Sequence, residues 1–202
     1  RGYTKERLSK EEYEQALLGQ LFYRLDYNRT RIIPWLDSVR PLKGSSILEV
    51  GCGTGISTLA LSEQGAVVTG VDIDEGALKV NNDRLRIANI TSDTHIKNGD
   101  KIIELNTKSY DFIIYYAALE HMTVEERISS INQAWKMLKS GSYLVIIETP
   151  NRLWYHDSHT AGLPFFDWLP DDLAFYYSKY SNRANFKDLF REINEDKMMS
   201  FK

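Results

Sequence analysis

Cys52 is the only cysteine in 202 residues, so the chain closes no internal disulfide and is no disulfide-stapled scaffold. No apolar run is long enough to span a bilayer or to serve as a secretory signal. Basic residues are not in excess. The 25 Lys and Arg face 28 Asp and Glu, and a net charge of -3 removes the broad positive footprint of a nucleic-acid binder. A Pro-, Gly- or Ser-rich linker is missing too, and the length suits one domain. These absences lead to the expectation of a reduced, cytoplasmic protein with no membrane and no nucleic-acid partner, with homodimerisation left open. The chain begins at Arg1 rather than methionine and stops at Met198-Met199-Ser200-Phe201-Lys202, which reads as the start of a strand, so a fragment is expected.

What is present centres on Ile47-Leu48-Glu49-Val50-Gly51-Cys52-Gly53-Thr54-Gly55, an apolar run passing through an acid into three alternating glycines and then a helical pattern. A strand, a glycine turn and a helix make a floor of bare backbone with amide groups pointing at a ligand. A dinucleotide fingerprint would need Gly-x-Gly-x-x-Gly, and Ile56 stands where its third glycine belongs, so NAD is disfavoured. Cys52, between two glycines, reads as a small packing residue. Upstream, Ser9-Lys10-Glu11-Glu12 has the form of a capping box opening an amphipathic helix, and a second helix is expected from Arg31 to Val39. Tyr23 and Tyr27 lie on the first, either lining a pocket or packing on the core. Downstream, strands are expected at 46–50, 66–73, 94–97, 110–116 and 143–147, the last after a turn at Lys139-Ser140-Gly141-Ser142. Alternation with helices points to a parallel sheet. Thr123-Val124-Glu125-Glu126 opens another helix, Asp74 reads as the cap of the helix beginning at Glu75, and a last helix is expected over 185–195.

The glycine turn, taken with three acidic positions downstream of it, resembles motif I and its companion motifs in the class I S-adenosylmethionine-dependent methyltransferases. The resemblance rests on that turn, Asp72 closing the second strand, Asp100 after the third, and Glu120-His121 after the fourth. It implies a Rossmann-like, doubly wound α/β fold with a mostly parallel sheet and helices on both faces, whose C-terminal hairpin is incomplete here. The single domain then divides into an N-terminal helical cover (1–43), a cofactor-binding core (44–150) and a substrate-side loop and helix (151–202). The implied cofactor is S-adenosyl-L-methionine, held by Glu49, Gly51, Gly53, Gly55, Asp72, Ile73, Asp100 and Tyr115. Asp72 takes the ribose hydroxyls and Asp100 the adenine amino group; a plain turn carboxylate competes for Asp100.

A sulfonium is an activated methyl donor, so the protein has mainly to align the acceptor, exclude water and remove a proton. His121, His156 and His159 are the candidate bases; His121 comes just after the strand that in this family faces the methyl, and the other two sit in the aromatic stretch 154–170 assigned to the substrate. For each, a purely structural role competes. No metal is expected, because Ala117 stands where related quinone-type enzymes carry an additional acid. Tyr115-Tyr116-Ala117-Ala118 replaces the Asn/Asp-Pro-Pro-aromatic motif of base methylation. The expected activity is O-methylation of a small-molecule hydroxyl, with N-methylation of a small amine or a non-catalytic S-adenosylmethionine-binding subunit as alternatives.

Overall fold

A computed structural model describes residues 9–90, 95–98 and 109–183. Asp100 and the helix expected over 185–195 lie outside the described residues. The chain divides into two compact units, Arg1–Ile114 with Ala134–Val145, and Tyr115–Gln133 with Ile146–Lys202.

The first unit opens with α1 (Lys10–Tyr27), whose capping box forms as expected: the Glu12 amide donates to Ser9 Oγ at 3.3 Å and the Ser9 amide to Glu12 Oε2 at 2.9 Å. The second helix, α2 (Ile33–Val39), is not separate. A five-residue π-helical stretch, Asn28–Ile32, joins the two without a break. No glycine or proline lies between residues 20 and 33, so nothing stops the helix. Buried Asn28 donates its side-chain amide to the Arg24 carbonyl at 2.9 Å, and the Ile33 amide reaches back to the Asn28 carbonyl, the five-residue step that defines the bulge.

The strands are β1 (Ser46–Val50), β2 (Val67–Asp72), β3 (His95–Asn98), β4 (Tyr110–Tyr116) and β5 (Leu138–Ile147), in the order β3-β2-β1-β4-β5. β1 pairs parallel to β2, and β2 parallel to β3. The order runs outward from β1 in one direction and then in the other, which is the doubly wound, Rossmann-like arrangement, and the crevice of such sheets lies where the order reverses. Ile47, Leu48 and Val68 are fully buried, as near-continuous apolar runs require in parallel strands. Between them run α3 (Ile56–Ser62), α4 (Glu75–Ile87) and α5 (Val124–Met137). α4 is capped by Asp74, which accepts from the Ala77 amide at 3.0 Å. One boundary differs from expectation. Residues 139–142 belong to β5, which begins at Leu138, with Gly141 in left-handed backbone at φ 73°. Lys139 Nζ there bonds Asp111 Oδ2 at 2.8 Å, and that buried carboxylate also takes Arg40 at 2.8 Å and the Ser46 amide at 2.9 Å. A charged tie to the neighbouring strand outweighs the local turn preference of Ser-Gly-Ser.

The second unit has its own small core of Ala161, Leu163, Phe166 and Ala174, the last from α6 (Asp171–Tyr177).

Candidate functional site

In the first unit the site is the turn after β1. Gly51, Gly53 and Gly55 all have positive φ, at 76°, 50° and 80°. The Gly51 and Cys52 amides both donate to the Val71 carbonyl, at 2.8 and 3.1 Å, which pins the turn to the end of β2. The Gly53 amide donates to Asp72 Oδ2 at 2.7 Å, and the Asp74 amide to Asp72 Oδ1 at 2.9 Å. A carboxylate offers roughly four lone-pair sites, so this half-buried group keeps about two for a ligand. On the outer side Arg84 Nε donates to the Thr54 carbonyl at 2.8 Å. Gly55 packs against Asn81, which is fully buried and donates to Thr58 Oγ1 at 3.3 Å.

Glu49 lies behind the turn. It is fully buried and accepts the Thr58 hydroxyl at 2.6 Å and the Ser57 hydroxyl as well, so it braces the first turn of α3 from below rather than facing a ligand. Burial raises its pKa to about 7; the two hydroxyl bonds oppose the rise and the Asp72 charge adds to it. A carboxyl-carbon NMR titration is expected to place the Glu49 midpoint near 7, and Asp72→Asn to lower it; a midpoint below about 5 would refute the burial assignment. A folded value above the ordinary 4.5 means that this group's contribution to stability is complete below about pH 4.5 and is lost as pH rises through about 7. Cys52 is buried, and burial pushes its thiol pKa far upward, so it is a packing residue and no nucleophile.

The other residues expected at the cofactor are placed differently from one another. Ile73 is 80% exposed. Tyr115 is fully buried and its hydroxyl is 2.7 Å from Ser130 Oγ. That position turns it into the core, because burying a phenol requires a partner for its hydroxyl. Tyr23 is exposed and stacks on Tyr27 at 6.3 Å.

The second unit contains a cavity of about 420 Å³ lined by Glu148, Thr149, Pro150, Asn151, Trp154, His156, Ser158, His159 and Asp167. His156 and His159 are therefore brought together, and His121 is not on the lining. Its ring lies 6.1 Å from that of His159, and its Nε2 is 4.0 Å from the buried Glu120 carboxylate. Among the described residues, His159 Nδ1 is buried with no hydrogen-bond partner.

Asp157, which lies between the two histidines in the sequence, has a structural role. It is buried and accepts the amides of His159 (2.8 Å), Thr160 (2.7 Å), Ala161 and Gly162 (3.0 Å). Its lone pairs are spent on the loop, and among the described residues no three His, Cys, Asp or Glu side chains group as a metal site. Arg183 closes the loop from the other side on the carbonyls of Ser158, His159 and Thr160. Asp157→Ala would strand four amides, and thermal unfolding should register a loss of roughly 3 kcal/mol, with Asp157→Asn in between; a change under about 1 kcal/mol would mean the carboxylate does not organise the loop. Ala117 and Glu148 carry left-handed backbone, φ 49° and 58°, with the Ala117 amide on the Ile147 carbonyl at 2.9 Å and the Tyr116 hydroxyl on Glu148 Oε1 at 3.2 Å. Such strain in non-glycine residues persists only where surroundings impose it, and it concentrates at functional sites.

Sequence reasoning missed Glu148 and Asp167 as cavity carboxylates, and it missed Asn81 and Arg183 as supports. Only the position of Glu148 directly after β5, where such sheets bind ligands, carried a signal.

The family profile described as a methyltransferase domain matches residues 48–146. Ubiquinone biosynthesis O-methyltransferase of Thiobacillus denitrificans is 31% identical over 118 residues, covering 58% of this chain and 50% of that protein. The enzyme of the same name from Paracidovorax citrulli is 32% identical over 120 residues, covering 58% and 49%. The chain thus spans about half the length of the curated relatives it matches. Among solved structures, glycopeptide N-methyltransferase MtfA complexed with sinefungin aligns with a TM-score of 0.52 at 16% identity, over 59% of this chain and 53% of that one. TehB from Haemophilus influenzae aligns at 0.50 and 22%, over 61% and 44%. Both likenesses concern the fold. The glycine turn tied to Asp72, the doubly wound strand order and the profile match agree, and through residues 48–146 the chain is similar to the class I S-adenosylmethionine-dependent methyltransferases.

Proposed function

We propose that this chain transfers the methyl group of S-adenosylmethionine to a hydroxyl of a small molecule. The observation that carries the cofactor assignment is the Asp72 carboxylate, pinned by the Gly53 and Asp74 amides with lone pairs to spare, which suits the two hydroxyls of a ribose. The turn suits the rest of the cofactor, since a Cβ built on Gly53 would meet nothing closer than Asp72 Oδ2 at 4.0 Å and the backbone there stays bare. Ile73, exposed beside Asp72, offers an apolar edge. When bound, S-adenosylmethionine supplies a methyl group already activated on a sulfonium.

The protein's own work is then to orient the acceptor and take its proton. His159 is our base, because it lines the cavity together with His156; His121 lies at its side, near the Glu120 carboxylate. The relatives' names favour oxygen as the acceptor atom. The cavity supports an enzyme over a binding subunit, whose substrate site would be closed. Two carboxylates on the lining keep N-methylation of an amine as the second reading, since they would attract an ammonium group. A net charge of -3 favours a small molecule over nucleic acid. Among the described residues no helix is long and apolar enough to cross a membrane, and with a single reduced thiol we place the protein in the cytoplasm.

The test is release of S-adenosylhomocysteine across paired hydroxyl and amine acceptors. Turnover on hydroxyls, with His159→Ala reducing kcat by about 100-fold, is the expected result. Turnover on amines only, or full activity in His159→Ala with loss in His121→Ala or His156→Ala, would overturn the acceptor or the base.

A further inference from the structure

We infer that the cavity of the second unit binds a polyhydroxylated ring, a sugar, as the group presented for methylation; this rests on the methyl-transfer reading above. Small-molecule sites are mostly apolar with a few polar groups. Within this lining seven of the nine residues carry polar side chains, all but Pro150 and Trp154. A phenol or quinone with a hydrocarbon tail offers such groups only one or two polar atoms. A sugar pairs them, since each hydroxyl both donates and accepts.

The lining residues divide accordingly. Glu148 and Asp167 accept from hydroxyls, and the former already takes the Tyr116 hydroxyl at 3.2 Å. Asn151 Oδ1 is occupied by the Leu153 amide at 3.0 Å, which leaves its side-chain NH2 as a donor. His156 and His159 add groups that donate or accept by tautomer. Trp154 supplies a face for the C–H side of a ring; its amide is tied to the Asn151 carbonyl at 2.9 Å and its indole is 59% exposed. A volume of about 420 Å³ is at the small end for ligand sites and suits one or two rings. The walls are preorganised. Asp157 gathers four loop amides and Arg183 three loop carbonyls, so hydroxyl partners are held before the ligand arrives.

The experiment uses the full chain with S-adenosylhomocysteine present and monitors binding of methyl β-D-glucopyranoside, methyl α-L-rhamnopyranoside, catechol and benzylamine by ligand-observed NMR. A glycoside is expected to bind, with Trp154→Ala weakening it about tenfold and Glu148→Gln about fivefold. S-adenosylhomocysteine affinity should stay within about twofold in both variants, which also controls for folding. Absence of glycoside binding up to roughly 50 mM, or binding that neither substitution alters, overturns the inference. So does Trp154-dependent binding of catechol or benzylamine alone. A glycoside that binds in the expected way yet yields no S-adenosylhomocysteine from S-adenosylmethionine upholds the sugar site and overturns its role as acceptor site. Failure of the wild-type chain to bind S-adenosylhomocysteine sinks the methyltransferase reading instead and leaves glycoside binding readable.

Discussion

Asp72→Ala is expected to weaken S-adenosylhomocysteine binding by about 100-fold or more, measured by calorimetry. A carboxylate that accepts two ribose hydroxyls makes two charge-assisted bonds worth roughly 1.5 kcal/mol each, and 3 kcal/mol is a factor of about 100 in affinity. The same substitution strands the Gly53 and Asp74 amides, which now bond at 2.7 and 2.9 Å, so the turn loses a tether as well as a ligand. Asp72→Asn separates the two effects. It preserves shape and one acceptor oxygen, so it should recover part of the tether but little of the charge, leaving binding about tenfold weaker. Affinity within about threefold of wild type for Asp72→Ala would remove Asp72 from the cofactor site and with it the main support for the proposed chemistry.

Gly55→Ala should destabilise the first unit by about 3 kcal/mol in denaturant unfolding, because it meets two penalties at once. Gly55 has φ 80° and ψ 32°, a left-handed conformation that costs an L residue about 1 kcal/mol. The added Cβ would also sit 2.0 Å from Asn81 Oδ1 and 2.2 Å from its Cγ, which no packed structure allows. Asn81 is fully buried and bonded to Thr58, which bonds Glu49, so displacing it disturbs the bracing of α3. Asn81→Ala in the Gly55→Ala background should recover roughly half of the loss, the steric half. A loss below about 1 kcal/mol for Gly55→Ala would show that Asn81 has room to move.

Residues that are read through local rules were legible. The Ser9 and Thr123 capping boxes, the Asp74 cap and the β1-turn-α3 unit are set by spacing within a few residues, and each forms where expected. Contacts made across the fold were not legible. Glu49 and Asp72 are both acids next to apolar runs in the sequence, and nothing local distinguishes them. One ends fully buried on two hydroxyls, the other half-buried on two amides with lone pairs left over. Tyr115 and Tyr116 are likewise identical neighbours on a strand whose alternation sends one to Ser130 and the other to Glu148. The turn expected at 139–142 yielded to a charge pair with Asp111, 28 residues away.

The sequence by itself determined the strand and helix alternation, the glycine turn and the acid at the end of β2, because period, capping and backbone freedom act over a few residues. It also carried the family resemblance, since those pieces occur in a set order. Tertiary structure alone decided which acids are braces and which keep lone pairs, that Asp157 holds a loop together, and that His159 rather than His121 lines a cavity with Glu148 and Asp167. Burial and hydrogen-bond partnership settle such roles, and both depend on residues distant in the chain that only folding brings within about 3 Å of one another.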